Sequence, residues 1–483
     1  MESVAAAVTR LQTLASEPAL LALAERFRAA DHELALVGGP VRDAFLGRPV
    51  NDLDFATSAR PDDIVRILAP VADAHWDIGR AFGTIGARIG ALTVEITTYR
   101  TDAYGADSRK PEVSFGDTLE ADLGRRDFTI NAMALRLPEL TLVDPHGGLE
   151  DLLAHRLTTP GTAEQSFGDD PLRMLRAARF CAQLGVDVDD SVVIAMRDMR
   201  ERLAIVSAER VRDELTKLLL TAQPRRGLEL LVATGLADMV LPELPALRLE
   251  IDEHAHHKDV YEHSLTVLDQ AIELEIARSA GDAPALVSPD LVLRLAALLH
   301  DIGKPATKRV EAGGVVTFHH HDVVGAKLAR RRLTALRFDN DTIKRTCRLI
   351  ELHLRFFGYS DAPWTDSGVR RYVRDAAEEL ERLHILTRAD VTTRNRRKAA
   401  RLHGAYDELE QRIAQLAEQE ELAAIRPDLD GEQIMAVLDA RPGPIVGEAY
   451  RFLLELRLDE GPLGTEKAER RLRAWFESRS ASD

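Results

Sequence analysis

A short apolar stretch that runs into two glycines places the strongest constraint on how this chain folds. Residues 34–37, Leu-Ala-Leu-Val, predict a buried strand, and Gly38-Gly39-Pro40 follows directly. Because proline is well tolerated in the first turn of a helix, we expect a helix to start there. Glycine permits close backbone approach, and a helix N-terminus offers free N–H groups to a phosphate. The turn therefore predicts a phosphate cradle, with Gly39 in its backbone and Arg42 adding charge-assisted hydrogen bonds.

Two aspartates follow on the next predicted strand. Asp52 and Asp54 are separated by one residue, and alternate residues of a strand point to the same side of a sheet. Both carboxylates can therefore share divalent cations, as phosphoryl transfer by two metal ions requires. Oxygen ligands of this kind favour Mg²⁺ or Mn²⁺. An isolated Asp-x-Asp is more often a pair of surface carboxylates, and it is the upstream glycine turn that favours a site.

The remaining pattern predicts an α+β fold, with a small mixed α/β head followed by a long all-helical region. Residues 85–98 alternate in character, which predicts a hairpin. From about residue 150 the pattern is almost wholly helical, and Pro242 and Pro245 flank a predicted hinge. A chain of 483 residues is too long for one compact core and predicts roughly three domains.

Composition excludes several classes of protein. No apolar run is long enough to span a bilayer, and the start, Met1-Glu2-Ser3-Val4, lacks the positive segment of a secretory signal, so we expect no membrane partner. Cys181 and Cys347 stand far apart, which predicts no disulfide and fits a reducing cytosol. The net charge of −16 argues against non-specific coating of nucleic acid.

A local basic face remains compatible with that charge. The candidates are Arg370-Arg371-Tyr372-Val373-Arg374 and Arg394-Asn395-Arg396-Arg397-Lys398. For each run the alternative is a solvated helix face with no ligand.

The first motifs resemble a known family. Leu36-Val37-Gly38-Gly39-Pro40-Val41-Arg42-Asp43, followed by Asn51-Asp52-Leu53-Asp54, resembles the signature of the polymerase-β-type nucleotidyltransferases. More narrowly, it is similar to class II tRNA nucleotidyltransferases, the CCA-adding enzymes, and to bacterial poly(A) polymerases. The resemblance continues in ordered motifs over roughly the first half of the chain. It implies a polymerase-β-like head that uses Mg²⁺ to add nucleotides to an RNA 3′ end.

A third carboxylate is expected to complete the metal site or to orient the 3′ hydroxyl. Glu95, within Thr93-Val94-Glu95-Ile96-Thr97-Thr98, is the candidate because it lies on a predicted strand of the head. A surface glutamate without a role is the alternative.

Residues 124–132 resemble the second motif of the family. The resemblance implies that Arg126 recognises ribose and triphosphate, with Asp127 and Asn131 in support. Arginine can grip phosphate, and Asp and Asn can bond hydroxyl groups. A capped helix start is the alternative for Asp127.

The segment Asp169-Asp170-Pro171-Leu172-Arg173 resembles the base-reading motif, with Asp169 in place of the usual Glu. Cytosine and adenine each present an exocyclic amine beside an unprotonated ring nitrogen, which an Asp acceptor and an Arg donor complement. Uracil and guanine instead present a carbonyl to the Asp acceptor and a ring N–H to the Arg donor. Such buried mispairing can reject a substrate roughly 10⁴-fold or more. Asp170 and Arg173 would therefore select CTP and ATP without a template, although an ATP-only polymerase could use the same pair.

Two further arginines follow Arg173 in the family pattern. Arg173, Arg176 and Arg179 recur every three residues and predict a slanted stripe along one helix side. The resemblance implies that Arg176 and Arg179, with Arg42 and Arg126, hold ribose and phosphates. A solvated arginine face is the alternative.

Two more segments resemble family motifs without carrying chemistry. Residues 144–152 are similar to a hinge motif whose paired glycines would allow movement, and a simple turn is the alternative. Residues 207–215 are similar to the last motif, with Ser207 as a predicted cap and Arg210 reaching toward the site.

One segment separates tRNA from poly(A) substrates. Bacterial poly(A) polymerases tend to carry two adjacent basic residues before a Phe after the catalytic aspartates. Here residues 78–84 read Ile-Gly-Arg-Ala-Phe-Gly-Thr, without the second basic residue. The segment favours CCA addition, while CC-only and A-only addition remain open.

A second constellation lies in the helical half. His263, His300-Asp301 and Asp390 resemble the ordered pattern of HD-domain phosphohydrolases. Histidine and aspartate brought together from several helices can bind a divalent cation. Further candidates, for a second metal or for the same cleft, are His256, His257, His319, His320, His321 and His353. The resemblance implies hydrolysis as a secondary activity and leaves a purely structural role open.

The motifs divide the chain into five expected parts. They are an N-terminal helix (1–30), a nucleotidyltransferase domain (31–150), a base-reading and neck domain (151–245), an HD domain (246–400) and a C-terminal tRNA-binding tail (401–483). The expected partners are tRNA, CTP and ATP, with no obligate protein partner evident.

Three rivals remain at this level. They are a poly(A) polymerase, an HD phosphohydrolase that uses the first half as an RNA anchor, and a non-catalytic RNA-binding protein. Replacement of Asp52 and Asp54 by alanine would leave the principal activity of the second rival intact.

Overall fold

The structure is a computed structural model. It describes residues 4–50, 53–103, 112–116, 118–249, 259–280, 286–312, 314–356, 359, 364–393, 395–420 and 425–480. The chain folds into two compact units that divide between Pro245 and Ala246.

A seven-stranded mixed sheet forms the head of the first unit. The strands along the chain are β1 Leu34–Val37, β2 Leu53–Thr57, β3 Ala74–Trp76, β4 Thr84–Ile89, β5 Leu92–Thr98, β6 Arg100–Ala103, β7 Glu112–Phe115, β8 Ala134–Leu137 and β9 Thr141–Val143. The sheet has the order β3-β4-β5-β2-β1-β8-β9, and β6 and β7 form a separate two-stranded ribbon. Strands β2 and β5 run parallel, and the other neighbours in the sheet are antiparallel.

Helices surround this sheet and continue the first unit. They are α1 Val4–Ala15, α2 Pro18–Ala29, α3 Gly39–Phe45, α4 Pro61–Leu68, α5 Leu119–Gly124, α6 Gly148–Leu153, α7 Ala163–Asp169, α8 Leu172–Leu184, α9 Asp190–Asp198, α10 Ala208–Leu219, α11 Pro224–Ala233 and α12 Leu236–Val240. A short parallel pair, β10 Arg156–Leu157 and β11 Asp187–Val188, joins the neck helices. Helix α8 is the most enclosed of these elements, because most of its residues are buried, arginines included.

The second unit is helical. Its helices are α13 Val260–Ser279, α14 Leu291–Leu299, α15 Lys304–Thr307, α16 His321–Ala335, α17 Asn340–Leu352, α18 Asp366–Ala376, α19 Leu380–Ala389, α20 Arg396–Glu420, α21 Gly431–Leu438, α22 Pro444–Glu460 and α23 Thr465–Ser480. A short hairpin, β12 Arg309–Val310 with β13 Val316–Thr317, precedes α16. Helix α14 lies in the middle of this core, since its residues from Val292 onward are buried.

The predicted elements of the head are confirmed. Strand β1 is buried at all of its positions, which explains its unbroken apolar sequence. The predicted hairpin at residues 85–98 corresponds to the antiparallel pair of β4 and β5. The segment expected as an N-terminal helix (1–30) forms two helices, and the second begins at Pro18, since proline is well tolerated in a first turn.

Cys181 and Cys347 are free and buried. Among the described residues, none of the helices is long and apolar enough to cross a membrane.

The two predicted basic runs differ in structure. Arg370 is buried and pairs with Glu420 at 2.8 Å, while Arg371 pairs with Glu455 at 2.7 Å and with Asp459 at 2.8 Å. This run therefore joins helices of the second unit, and the interpretation of it as an RNA-binding face is wrong. The second run opens helix α20, and its described cations are exposed.

Candidate functional sites

The order of strands brings the acidic residues of the head to the glycine turn. In the parallel pair of β2 and β5, Asp54 stands beside Glu95, so both side chains lie on the same side of the sheet. In the antiparallel pair of β1 and β2, Leu36 stands opposite Phe55, and the same register brings Val37 level with Asp54. The glycine turn begins one residue later. Asp52 lies outside the described residues.

Gly38 has a conformation and surroundings that only glycine fits. Its φ is 72°, in the left-handed region that disfavours side chains. A Cβ at this position would lie 2.9 Å from Nη1 of Arg126. The turn is held by a hydrogen bond of 3.1 Å from the Gly38 N–H to the carbonyl of Met133. The guanidinium of Arg126 therefore lies against the backbone of the predicted phosphate cradle.

A chain of hydrogen bonds runs from α3 to α8. Arg42 donates from Nη1 to Oδ1 of Asn131 at 2.6 Å, and Asn131 donates from Nδ2 to Oδ1 of Asp127 at 3.0 Å. Arg176 donates from Nε to the other oxygen of Asp127 at 2.7 Å. Because Arg42, Asn131 and Asp127 are buried, these bonds fix two predicted substrate-binding arginines relative to each other.

Asp127 is ionised in this network. Burial alone would raise its pKa, but the ion pair with Arg176 and the hydrogen bond from Asn131 hold the pKa below its ordinary value. Its Oδ1 also accepts the N–H of Phe128 at 2.9 Å. Both oxygens of Asp127 are thus engaged within the protein.

The predicted base-reading pair is engaged with protein groups. Asp170 accepts the Leu172 N–H at 3.0 Å through one oxygen, and Nη2 of Arg210 at 2.7 Å through the other. Arg173 donates to Oγ of Ser166 at 2.9 Å and to the carbonyl of Arg125 at 2.6 Å. Arg210, which the sequence placed near the site, is thus a direct partner of Asp170.

Arg179 and Arg176 have different surroundings. Arg179 is buried, donates to Glu214 at 2.7 Å, and its guanidinium lies 4.0 Å from the ring centroid of Phe180. Arg42 and Arg176 approach the same ring at 5.4 Å and 5.5 Å. The sequence did not predict a role for Phe180 or Glu214, although both lie in or beside segments that resemble family motifs.

The predicted hinge motif contains two glycines, and each position requires glycine for a different reason. Gly147 has a φ of 70°, and a Cβ on Gly148 would lie 2.1 Å from the carbonyl oxygen of Thr129. Asp144 accepts the N–H groups of Gly148 and Leu149 at 2.7 Å and 2.9 Å. The second glycine therefore lets α6 pack directly on the segment that carries Asn131.

The second unit contains a cluster of histidines and aspartates. Nε2 of His263 lies 3.0 Å from Oδ1 of Asp390 and 3.3 Å from Nε2 of His300. Nε2 of His300 lies 3.2 Å from Oδ2 of Asp301. These four residues, predicted from the ordered pattern, come from α13 and from the ends of α14 and α19.

Two more histidines extend this cluster. Nε2 of His321 lies 3.3 Å from Oδ1 of Asp301, and Nε2 of His353 lies 4.0 Å from the same oxygen. Ligand atoms lie close enough for a metal ion in two groups, one of His263, His300 and Asp390, the other of Asp301, His321 and His353. Asp301 stands between the groups, since its other oxygen faces His300.

The rings are oriented as metal ligands usually are. Nδ1 of His300, His321 and His353 faces the carbonyl three residues earlier, at 2.9 Å, 2.7 Å and 2.6 Å. Such bonds fix the tautomer and direct Nε2 inward. Nε2 of His321 and of His353 is buried without a hydrogen-bond partner among the described residues. Buried polar atoms are normally paired, so these two nitrogens fit a missing ligand.

Two groups of the cluster, Asp301 and His353, have charge states that suit a cation. Burial would raise the pKa of Asp301, but His300 and His321 hold it well below its ordinary value. Burial and the charge of His300 lower the pKa of His353 to about 4. At neutral pH the cluster therefore offers an ionised carboxylate and an uncharged imidazole.

His319 and His320, the other candidate histidines among the described residues, do not join the cluster. His319 is exposed and lies 3.4 Å from Glu311. His320 is exposed at the start of α16. His256 and His257 lie outside the described residues.

Fold and sites together define a nucleotidyltransferase head followed by an HD domain. Residues 34–158 match the poly A polymerase head domain, residues 185–247 match the probable RNA and SrmB-binding site of polymerase A, and residues 260–395 match the HD domain. An A-adding tRNA nucleotidyltransferase of Deinococcus radiodurans is 36% identical over 464 residues, which cover 93% of this chain and 96% of the relative. The chain belongs to the class II tRNA nucleotidyltransferase and poly(A) polymerase family, and it is a nucleotidyltransferase.

Two further proteins are similar to this chain. A CCA-adding enzyme of Streptococcus sanguinis is 40% identical over 245 residues, which cover 50% of this chain and 60% of the relative. The crystal structure of the Bacillus stearothermophilus CCA-adding enzyme in complex with CTP is similar with a TM-score of 0.65 and 24% identity, and covers 97% of this chain and 100% of that chain. The second similarity establishes a shared fold.

Proposed function

We propose that this protein adds CCA to the 3′ end of tRNA from CTP and ATP, without a template. The observation that carries the proposal is the pairing of Asp54 with Glu95 at the end of β1 where the Gly38 turn begins. At this end of the sheet, carboxylates are available to divalent cations, and the backbone N–H groups of the adjacent glycine turn are available to a triphosphate.

We assign the metal-binding role in the head to Asp52, Asp54 and Glu95. Carboxylate oxygens are the donors that Mg²⁺ prefers, which fits this set. When bound there, Mg²⁺ would activate the tRNA 3′ hydroxyl and stabilise the leaving pyrophosphate. The residues themselves orient the hydroxyl and the α-phosphate for in-line attack.

We assign the triphosphate and ribose to the glycine turn and its arginines. Gly39 lies in the turn, Arg126 lies against it, and Arg42 is fixed to Asn131. Asp127 and Arg176 hold these groups in position. They bind ribose only when the ribose replaces one of their present protein partners. Arg179, which pairs with Glu214, contributes by holding α8 in place.

The incoming base is assigned to Asp170 and Arg173. Their present partners are Arg210, Ser166 and the Arg125 carbonyl, so a base must replace those bonds. An Asp acceptor beside an Arg donor complements cytosine and adenine alike. We therefore expect Asp170→Asn to weaken discrimination against UTP and GTP, because the amide can donate as well as accept.

The deciding assay supplies tRNA that lacks its last three nucleotides. We expect two additions with CTP alone, three with CTP and ATP together, and none with ATP alone. The double variant Asp52→Ala, Asp54→Ala should abolish all additions. Long tails from ATP alone would identify a poly(A) polymerase instead, and no addition in any mixture would contradict the proposal.

A second candidate is addition of the terminal adenosine alone. It is favoured by one observation, that the relative matching nearly the whole chain is named an A-adding enzyme, whereas the Streptococcus sanguinis enzyme matches half of it. This candidate requires that tRNA lacking three nucleotides remains unextended. Transfer RNA that already ends in CC would gain one adenosine.

We also propose that the HD cluster binds divalent metal and catalyses phosphohydrolysis as a secondary activity. The unpartnered Nε2 atoms of His321 and His353 support two metals rather than one. Metal content by mass spectrometry should be two per chain, and His353→Ala should reduce it to one. The exposed His319→Ala serves as the control and should keep two. A protein that holds no metal, or an unchanged count in His353→Ala, would contradict the assignment.

The broader assignments rest on the same family. We infer a cytoplasmic site of action, which the two unpaired cysteines support. We also keep the five-part division of the chain, with residues 401–483 gripping the tRNA body by shape and phosphate contacts.

A further inference from the structure

The HD cluster lies beside a basic segment whose described cations have no ion pair with the rest of the described chain. Between Asp390 and Asp407 the sequence contains no acidic residue and five cations, in a chain with a net charge of −16. Four of the five are described, namely Arg396, Arg397, Lys398 and Arg401, and all are exposed. None of these four has an ion pair or a side-chain hydrogen bond within the part of the chain that the structure describes.

The first basic run, residues 370–374, differs from this segment in its ion pairs. The cations of residues 370–374 are paired with carboxylates from other helices. The described cations at the start of α20 have no such partners among the described residues, and they also occupy a helix N-terminus, where positive charge is unfavourable. No acidic residue lies in that first turn to compensate. An anionic ligand would supply the missing partner.

Helix packing brings this turn to the metal cluster. Tyr406 donates to the carbonyl of Thr387 at 2.8 Å, and Glu410 lies 2.9 Å from Arg388 and 3.8 Å from His384, so α20 runs antiparallel to α19. From Tyr406 back to Lys398 the helix extends about 12 Å, whereas α19 continues only about 5 Å from Thr387 to Asp390. The first turn of α20 therefore extends past the end of α19 that carries Asp390.

One contact and one residue spacing support the same placement. Oγ1 of Thr392, in the connection between the two helices, lies 3.0 Å from Nδ1 of His263. Lys398, Leu402 and Tyr406 are spaced four residues apart, so Lys398 is on the side of α20 that packs toward α19. Leu402 and Tyr406 are buried there, while Lys398 is exposed because the helix has run past its neighbour.

We propose that Arg396, Arg397, Lys398 and Arg401 bind the phosphates of an RNA strand whose end is presented to the HD centre. They would make that centre selective for a phosphorylated RNA end over a small phosphate ester. This inference rests on the proposed phosphohydrolase activity of the cluster. In the reaction, water forms a bond to the terminal phosphorus, the bond from phosphorus to the RNA oxygen breaks, and that oxygen leaves with a proton from water.

The test compares two substrates in the full-length protein. The probes are a five-nucleotide RNA with a 3′-phosphate and p-nitrophenyl phosphate. We expect the triple variant R396Q/R397Q/K398Q to lower kcat/KM for the RNA about ten-fold or more while the small ester is unaffected. The slope of log affinity against log salt should fall by about two, since each phosphate contact in a single strand contributes about 0.7.

A matched variant separates local binding from overall charge. K327Q/R330Q/R331Q removes three exposed cations from α16 and should leave the turnover of both substrates unchanged. An equal loss with both RNA and small ester, or an equal loss in the two triple variants, would overturn the proposal.

A second measurement does not depend on hydrolysis. Because both natural cysteines are buried, Lys398→Cys can be labelled selectively with a photoreactive group. We expect it to cross-link the RNA, and Lys327→Cys not to do so. If neither substrate is hydrolysed, the phosphohydrolase proposal fails, but the cross-link still decides where RNA binds. Absence of a cross-link at position 398 refutes the basic segment as its binding site.

Discussion

Asn131 joins Arg42 to Asp127, with its carbonyl oxygen 2.6 Å from one and its amide nitrogen 3.0 Å from the other. A single buried amide, through Asp127 and its bond to Arg176, thereby connects the helix after the glycine turn to helix α8. Asn131→Ala should leave Arg42 without this acceptor, at a cost of about 1–3 kcal/mol. We expect kcat/KM for CTP incorporation to fall about ten- to one-hundred-fold. Asn340→Ala, at the exposed start of α17, is the control and should be neutral.

Glu95 gives a prediction about metal dependence. Its side chain is exposed, so Glu95→Gln should leave the thermal unfolding midpoint unchanged. If the carboxylate helps to hold the catalytic cation, the variant should need more Mg²⁺ for half-maximal incorporation and turn over about 100-fold more slowly. Single-turnover assays over a Mg²⁺ series measure both effects. Normal kinetics in Glu95→Gln would remove this residue from the site.

Gly148 predicts a local loss of stability. A methyl group there would meet the carbonyl oxygen of Thr129 at 2.1 Å, and backbone atoms have little room to move. We expect Gly148→Ala to destabilise the first unit by about 2 kcal/mol or more. Gly404→Ala is the matched control, because its Cβ would meet nothing within 4 Å in the middle of α20. That variant should be neutral or slightly stabilising. Chemical denaturation compares the two.

His384 predicts how stability depends on pH. Burial lowers the pKa of His384 from 6.5 to about 4, against the opposing effect of Glu410. The unfolded chain takes up this proton near pH 6.5, so the stabilisation is complete above that pH and is lost as the pH falls toward 4. Between pH 7 and 5 the second unit should lose about 2 kcal/mol on account of this group.

The variant His384→Phe isolates that effect. Nδ1 of His384 has no hydrogen-bond partner among the described residues, so an apolar ring of similar shape can replace it. Urea unfolding in the presence of a chelator should show a weaker dependence on pH in the variant than in the natural protein. Identical pH profiles would mean that His384 titrates normally in the folded state.

Much of the head could be predicted because its signals are local. The apolar run of β1, the glycines after it and the proline in the first turn of α3 lie within a few residues of one another. The spacing of His300 and Asp301 is equally local, and it identified the cluster of the second unit. Register could not be predicted in this way, and it is register that sets Glu95 beside Asp54.

Partners that are distant along the chain explain the misjudged residues. The run at 370–374 looks like the run at 394–398, but the first meets carboxylates from residues 420, 455 and 459, whereas the described cations of the second meet none among the described residues. Glu214 likewise has a partner only in the folded protein, where α10 packs against α8 and the Glu214 carboxylate pairs with Arg179. Sequence patterns report what a side chain can do, whereas the fold decides which opposite charge it finds.

The bond between Arg210 and Asp170 has a consequence for fidelity. On the proposed assignment of Asp170 to the incoming base, an arriving nucleotide competes with a tethered guanidinium that is always present at high local concentration. A cytosine or adenine would match the bonds that it displaces, while a uracil or guanine would lose its bonds to water and bind Asp170 less well than Arg210 does. On that assignment, the protein carries an internal competitor that penalises the wrong base before any chemistry begins.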